Sequence, residues 1–202
     1  MKYELTQEIK SFNGLKLRRI KALKDFNGIK AGTLGGWIEK EENLSQSGSA
    51  WVYDNAKVSG SAEVFGNAKV SGNAKVSGSA EVFGSAWVYD NAWVSGSAEV
   101  FGSAWVSGNA EVYDNAKVPG SAEVFGDAKV SKLVYTSNYK YRLTLTDNHI
   151  KYGCFQKTIK EWKEWLEGTE EFETKRNDPS FKIIKMSLEL AIQQSELVQA
   201  LD

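Results

Sequence analysis

The sequence predicts a mainly β fold organised on a triangular parallel β-solenoid, with a β-hairpin capping one end and a β-hairpin plus two α-helices at the other. Three observations carry that prediction. Residues 49–132 are fourteen consecutive hexapeptides of the form [Ser/Asn/Asp]-Ala-x-Val-x-[Gly/Asp], as in Ser61-Ala62-Glu63-Val64-Phe65-Gly66, without an insertion. Within each unit Ala and Val fall on one face and the variable residues on the other, the period-two signature of a half-buried strand. The variable positions repeat best at 18 residues: Asn55, Asn73, Asn91 and Asn109 lead to Asp127, while Phe65, Phe83, Phe101 and Glu63, Glu81, Glu99 keep the same interval. Three hexads per turn close a three-sided prism whose equivalent residues stack about 4.8 Å apart. So short a repeat cannot bury its own apolar surface, and each coil must be stabilised by its neighbours.

The chain divides into residues 1–48 (hairpin and cap), 49–132 (repeat) and 133–202 (hairpin and helices). Tyr3–Phe12 and residues 15–23 alternate imperfectly about Asn13-Gly14, a strong hairpin signal. Asn27-Gly28 and the glycines between residues 32 and 36 punctuate a connection, after which Trp37 and Ile38 are expected to plug the open prism and hide its strand edge. Residues 39–42 form a charged link. Inside the repeat, Gly or Asp takes the corner, where the backbone needs freedom, and the Asn column can bond along the stack. Beyond Lys132, residues 139–145 and 149–153 alternate around Asp147-Asn148 and predict the second hairpin. Thr158 should cap a helix over 159–168 with the apolar stripe Ile159, Trp162, Trp165 and Leu166. Residues 168–177 read as a charged loop. Asp178-Pro179 then opens a helix with Ile184, Leu188, Ala191 and Val198 on one face, widened by Ile183, Leu190 and Leu197.

These hexads resemble the hexapeptide-repeat left-handed parallel β-helix over about residues 49–132. The winding hand is implied by that resemblance; the small residue here stands two places after the valine rather than directly after it, and the residues alone allow either hand. Gly35-Gly36-Trp37-Ile38-Glu39, Asn43-Leu44-Ser45 and Trp51-Val52-Tyr53-Asp54-Asn55-Ala56 also resemble stretches of uncharacterised phage and prophage proteins. So do residues 146–154 and Thr158-Ile159-Lys160-Glu161-Trp162. Many hexapeptide-repeat helices are acyltransferases. That likeness implies a histidine acting as general base on an acceptor hydroxyl or amine, beside a loop that interrupts the coils, with the acyl donor between neighbouring subunits.

Composition narrows the classes. A single cysteine, Cys154, rules out an intrachain disulfide and fits a reducing compartment. With no apolar run of membrane length and a polar first ten residues, a soluble cytoplasmic protein without a membrane partner is expected, in the host cytoplasm if phage-encoded. The net charge of −1 hides a gradient, from +5 over residues 1–36 to −3 over residues 49–132. Lys16, Arg18, Arg19, Lys21 and Lys24 are read as solvated charges on the capping hairpin, with a nucleic-acid footprint as the rival.

Sorting outward residues by wall isolates the candidate contacts. The first wall presents Trp51, Lys69, Trp87, Trp105 and Glu123, with Tyr53 and Tyr89 among the residues after its valines. The second presents Lys57, Lys75, Trp93, Glu111 and Lys129. The third carries the Phe65, Phe83, Phe101 and Glu63, Glu81, Glu99 columns, ended by Lys117 and Pro119. A contiguous aromatic surface is seldom left to water, so the C-terminal helices or a second copy should cover it. The binding residues expected are therefore Trp51, Tyr53, Trp87, Tyr89, Trp105, Phe65, Phe83 and Phe101.

Chemistry is harder to find. The one histidine, His149, lies outside the coils, and no loop interrupts them. His149 and Cys154, five apart, fall on opposite faces of a strand and read as a packed or surface His and a buried structural Cys rather than a nucleophile and its base. No zinc-ligand spacing or phosphate-binding glycine loop occurs. The Glu column reads as a solvated face, not a calcium site. These observations favour a non-catalytic binding or scaffold protein, not an enzyme, with no cofactor and no metal. It would be a homo-oligomer, for example a trimer, that contacts a host bacterial protein in blunting bacterial defence; a small signalling nucleotide is left open as a ligand. The alternatives carried are a hexapeptide-repeat acyltransferase and a nucleic-acid binder acting through the basic hairpin.

Overall fold

The computed structural model describes residues 1–132, 134–138, 141–171 and 174–200. Tyr139 and the side chain of Val198, both invoked above, lie outside the described residues.

A solenoid with three parallel walls forms the body. The first wall stacks β4 (Trp51–Val52), β7 (Lys69–Val70), β10 (Trp87–Val88), β13 (Trp105–Val106) and β16 (Glu123–Val124). The second stacks β5 (Lys57–Val58), β8 (Lys75–Val76), β11 (Trp93–Val94), β14 (Glu111–Val112) and β17 (Lys129–Val130). The third stacks β6 (Glu63–Val64), β9 (Glu81–Val82), β12 (Glu99–Val100) and β15 (Lys117–Val118). Every pairing joins residues 18 apart, such as Val70 with Val88, as the variable positions predicted. Each Ala and Val of the hexads is at most 1% exposed, so the interior is a close-packed column of small and β-branched side chains.

The corners explain the sixth position of the hexad. Gly84 has φ +70°, and a Cβ there would lie 2.9 Å from the backbone N and O of Gly102 in the next coil. Asp replaces Gly where its side chain compensates: Asp54 and Asp90, with φ of 51° and 60°, accept the amides of Gly72 and Gly108 at 3.2 Å. The Asn column bonds as expected, with Asn73, Asn91 and Asn109 each donating to the next member, at 3.3 Å, 3.4 Å and, to Asp127, 3.0 Å.

The front cap starts the solenoid earlier than the hexads do. β1 (Tyr3–Phe12) and β2 (Leu15–Ala22) form the predicted hairpin, with Asn13 and Gly14 at positive φ, and β3 (Leu34–Ile38) joins β2 to β5. Ile38 pairs with Val58 and Leu44 bridges Val64, which makes a partial coil. Asn43, fully buried, fixes the turn between them by donating to the Gly60 and Ala62 carbonyls and accepting from the Glu39 and Lys40 amides.

Of the expected plug, only Ile38 points inward. Trp37 stands on the outer side beneath Lys10 and Arg19, because Ile38 takes the inward place in the two-residue alternation. The ring that closes the end is Trp51, fully buried and met edge-on by Tyr3 at 6.1 Å and Phe26 at 5.4 Å.

At the other end, β18 (Tyr135–Asn138), β19 (Arg142–Leu145), β20 (His149–Tyr152) and β21 (Phe155–Thr158) form a four-stranded antiparallel sheet. The expected hairpin is its β19–β20 pair. Helix α1 (Ile159–Glu167) begins with the capping box of Thr158 and Glu161, and α2 (Pro179–Ala200) follows the charged loop. Trp162, Trp165, Ile184, Leu188 and Ala191 bury with Leu143, Ile150 and Tyr152 in a second core separate from the solenoid's. Among the described residues no helix is long and apolar enough to cross a membrane.

Candidate functional site

The eight aromatic positions do not share one environment. Trp51 is roofed by the front cap and offers no surface, and Tyr53 packs partly against the core beside it. Trp87, Tyr89 and Trp105 form one patch on the first wall, with Trp87 4.8 Å from Tyr89 and 6.1 Å from Trp105 between ring centroids. The Trp87 indole donates to Ser71 Oγ at 3.0 Å, and Lys69 lies 5.7 Å from its ring. Trp105 is 46% exposed. Phe65, Phe83 and Phe101 stack nearly parallel at 4.9 and 5.2 Å, half-buried, so their column is also a ladder within the wall. Helices α1 and α2 pack on the C-terminal sheet rather than over these rings, so the expectation that the C-terminal helices cover them is not met.

A polar groove of about 740 Å³ opens where the second and third walls meet near the last coil, lined by Gly96, Ser97, Asp114, Asn115, Lys117, Ser131 and Lys132. Lys117 also closes the Glu column by pairing with Glu99 at 2.9 Å. Among the described residues no cluster of His, Cys, Asp or Glu could hold a metal ion.

His149 opens β20 just beyond the loop that docks on the solenoid. In that loop Asn148 Oδ1 accepts the Lys129 amide at 2.8 Å and Asp147 Oδ2 accepts the Ser131 amide at 2.6 Å. The His149 backbone is clamped by Thr146, whose hydroxyl accepts the His149 amide and donates to its carbonyl. The imidazole Nδ1 is buried without a hydrogen-bond partner among the described residues. Glu161, across on α1, is held below the ordinary carboxylate range by the Thr158 amide and hydroxyl, with Lys157 and His149 adding to the effect. Cys154 is exposed on the β20–β21 turn, not buried as expected, because Gly153 at φ 61° turns the chain outward there. It stands at the opposite end of β20 from His149.

One cluster was not foreseen. Glu123, on the last rung of the first wall, binds Arg142 at 2.6 Å and also Lys151. Burial pushes its carboxyl up, but the two cations outweigh that and hold it below the ordinary range. Gln156 adds a bond to the Phe125 carbonyl at 2.8 Å. No local pattern marks Glu123, since its partners lie on strands beyond the repeat.

No family model matches the chain. A stretch of 61 residues is 46% identical to the uncharacterized acetyltransferase YdcK of Escherichia coli (strain K12), covering 26% of this chain and 19% of that protein. The chain therefore matches only a minor part of that relative's length. This likeness overturns both the expectation of a non-catalytic binding or scaffold protein and the expectation that the chain is not an enzyme. Those expectations required the base to lie within the coils. Coils can instead serve as a wall for a reaction whose acid–base group comes from an appended element or a neighbouring subunit, which a repeat pattern does not reveal.

Proposed function

We propose that the chain is an acyltransferase of the hexapeptide-repeat kind, moving an acetyl group from a thioester donor to a hydroxyl or amine acceptor. The observation that carries this reading is the 46% identity to a protein named as an acetyltransferase. None of the hexads contains a histidine or a thiol, so the proposed base is His149, the one imidazole in the chain. Its clamped backbone fixes where the ring starts, and Glu161 beside it stabilises the imidazolium formed when the acceptor gives up its proton. The acceptor then attacks the thioester carbonyl and the thiolate leaves. The Trp87, Tyr89 and Trp105 patch and the Phe65, Phe83 and Phe101 column are assigned to contact with a second copy, which would bring a donor surface toward His149.

The test is thiol release from acetyl-CoA by the full chain across a panel of amine and hydroxyl acceptors. Turnover is expected, falling about a hundredfold or more in His149→Gln with the fold intact. Failure of acetyl-CoA to bind, or full activity in His149→Gln, contradicts the reading or its assigned base respectively.

A further inference from the structure

The outer row of the second wall runs on past the hexads into the front cap. Arg19, Trp37, Lys57, Lys75 and Trp93 stand in Cα register on the adjacent strands β2, β3, β5, β8 and β11. At one interstrand step each, they form a line of roughly 19 Å. The tip of the β1–β2 hairpin curls over it. The Phe12 ring lies 5.3 Å from Lys57 Nζ and 5.9 Å from Lys75 Nζ, although β2 and β3 separate β1 from β5 in the sheet. Lys10 Nζ sits 5.0 Å from the Trp37 ring, and Lys75 Nζ 5.5 Å from that of Trp93, which is 42% exposed.

The cations of this row are short of anions. Arg19 reaches Glu8 at 3.3 Å, but none of the ion pairs among the described residues involves Lys10, Lys57 or Lys75. Lys57 donates to the Asn55 carbonyl at 3.0 Å. Burial first, then repulsion from Lys10 and Lys75, draws its ammonium below the ordinary lysine range. A bound anion would relieve that repulsion.

We propose that this row binds a nucleoside polyphosphate, with the base stacked on Trp93 and the phosphate chain running over Lys75 and Lys57 toward Lys10 and Arg19. An exposed indole at one end and unpaired ammonium groups beside it match a ligand with a flat ring at one end and concentrated negative charge at the other. The boundaries select a single small molecule over a nucleic-acid strand. Glu111 follows Trp93 in register and Glu8 flanks Arg19, so carboxylates close the row at both ends. A chain of net charge −1 and isoelectric point near 6.0 also lacks the basic excess of a polymer binder. The row belongs to the hairpin end of the solenoid, whereas His149 lies beyond its last coil, so this site does not depend on the acyl-transfer reading.

Calorimetric titration of the full chain at low salt tests it, with ATP as the probe and adenosine, inorganic tripolyphosphate and a thymidine oligonucleotide as comparators. ATP is expected to bind once per chain, with affinity lowered about tenfold or more by combined Lys57→Gln and Lys75→Gln and severalfold by Trp93→Ala. Tripolyphosphate should bind more weakly than ATP, and adenosine should not bind. Lys129→Gln, on the same wall beyond Glu111, should change nothing, and circular dichroism confirms the fold of each variant. The proposal is overturned if millimolar ATP does not bind, if the lysine pair is dispensable, if tripolyphosphate equals ATP, or if the oligonucleotide binds more tightly than ATP.

Discussion

Lys2 shows how much a single side chain can carry that its neighbours in sequence do not suggest. It is 1% exposed, donates to the Ala50 carbonyl at 2.9 Å, and lies 5.4 Å from the Phe26 ring. Burial, and then the charge of Lys24, lowers its pKa to about 8. Below that pH the folded and unfolded states both hold the proton, and the cost of burying the charge stands in full. Between about 8 and the ordinary 10.5 the unfolded chain binds the proton and the folded chain does not, so stability rises with pH. Urea unfolding should show the wild type gaining roughly 2 kcal/mol from pH 8 to 9.5 relative to Lys2→Met. Parallel pH profiles for the two proteins would contradict this account. Trp51 teaches the same lesson: its hexad position reads as outward, yet Tyr3 and Phe26, from distant stretches of chain, bury it completely.

At the scale of elements, the joint between the last coil and the C-terminal sheet rests on a few polar bonds rather than a shared apolar core. Glu123 with Arg142 and Lys151 is its ionic centre. Because the carboxyl is held low in the folded protein, this contribution is present above the unfolded value and is lost as pH falls through the folded one. Glu123→Gln should therefore cost about 1–3 kcal/mol at pH 7. The difference in melting temperature should shrink toward zero under acid; a constant difference would remove the ionic account. α1 was legible to its first residue, since Thr158 and Glu161 make a capping box within four positions. β18 and β21 were not foreseen as strands, because each is held by a partner that the local pattern does not name.

For the whole molecule, the governing number is the 18-residue coil. Excising residues 67–84 removes one complete turn and leaves the remaining Ala and Val positions facing inward, so cooperative melting should persist. Excising 17 residues instead shifts every downstream inner residue off its face, and the solenoid beyond the cut should lose its cooperative transition. Calorimetry on the two variants separates them, and equal behaviour would mean that the walls tolerate register slips. The walls themselves, their 18-residue pairing, the corner residues and the Asn ladder were all readable from the hexads, because short-range alternation and periodicity specify a repetitive backbone. What the chain places on that scaffold was not readable. The roofing of Trp51, the outward turn of Trp37, the salt-linked rear joint and the cationic row under Phe12 all depend on contacts between segments far apart in the chain, and such contacts exist only after the coils have stacked and the two ends have folded back on them.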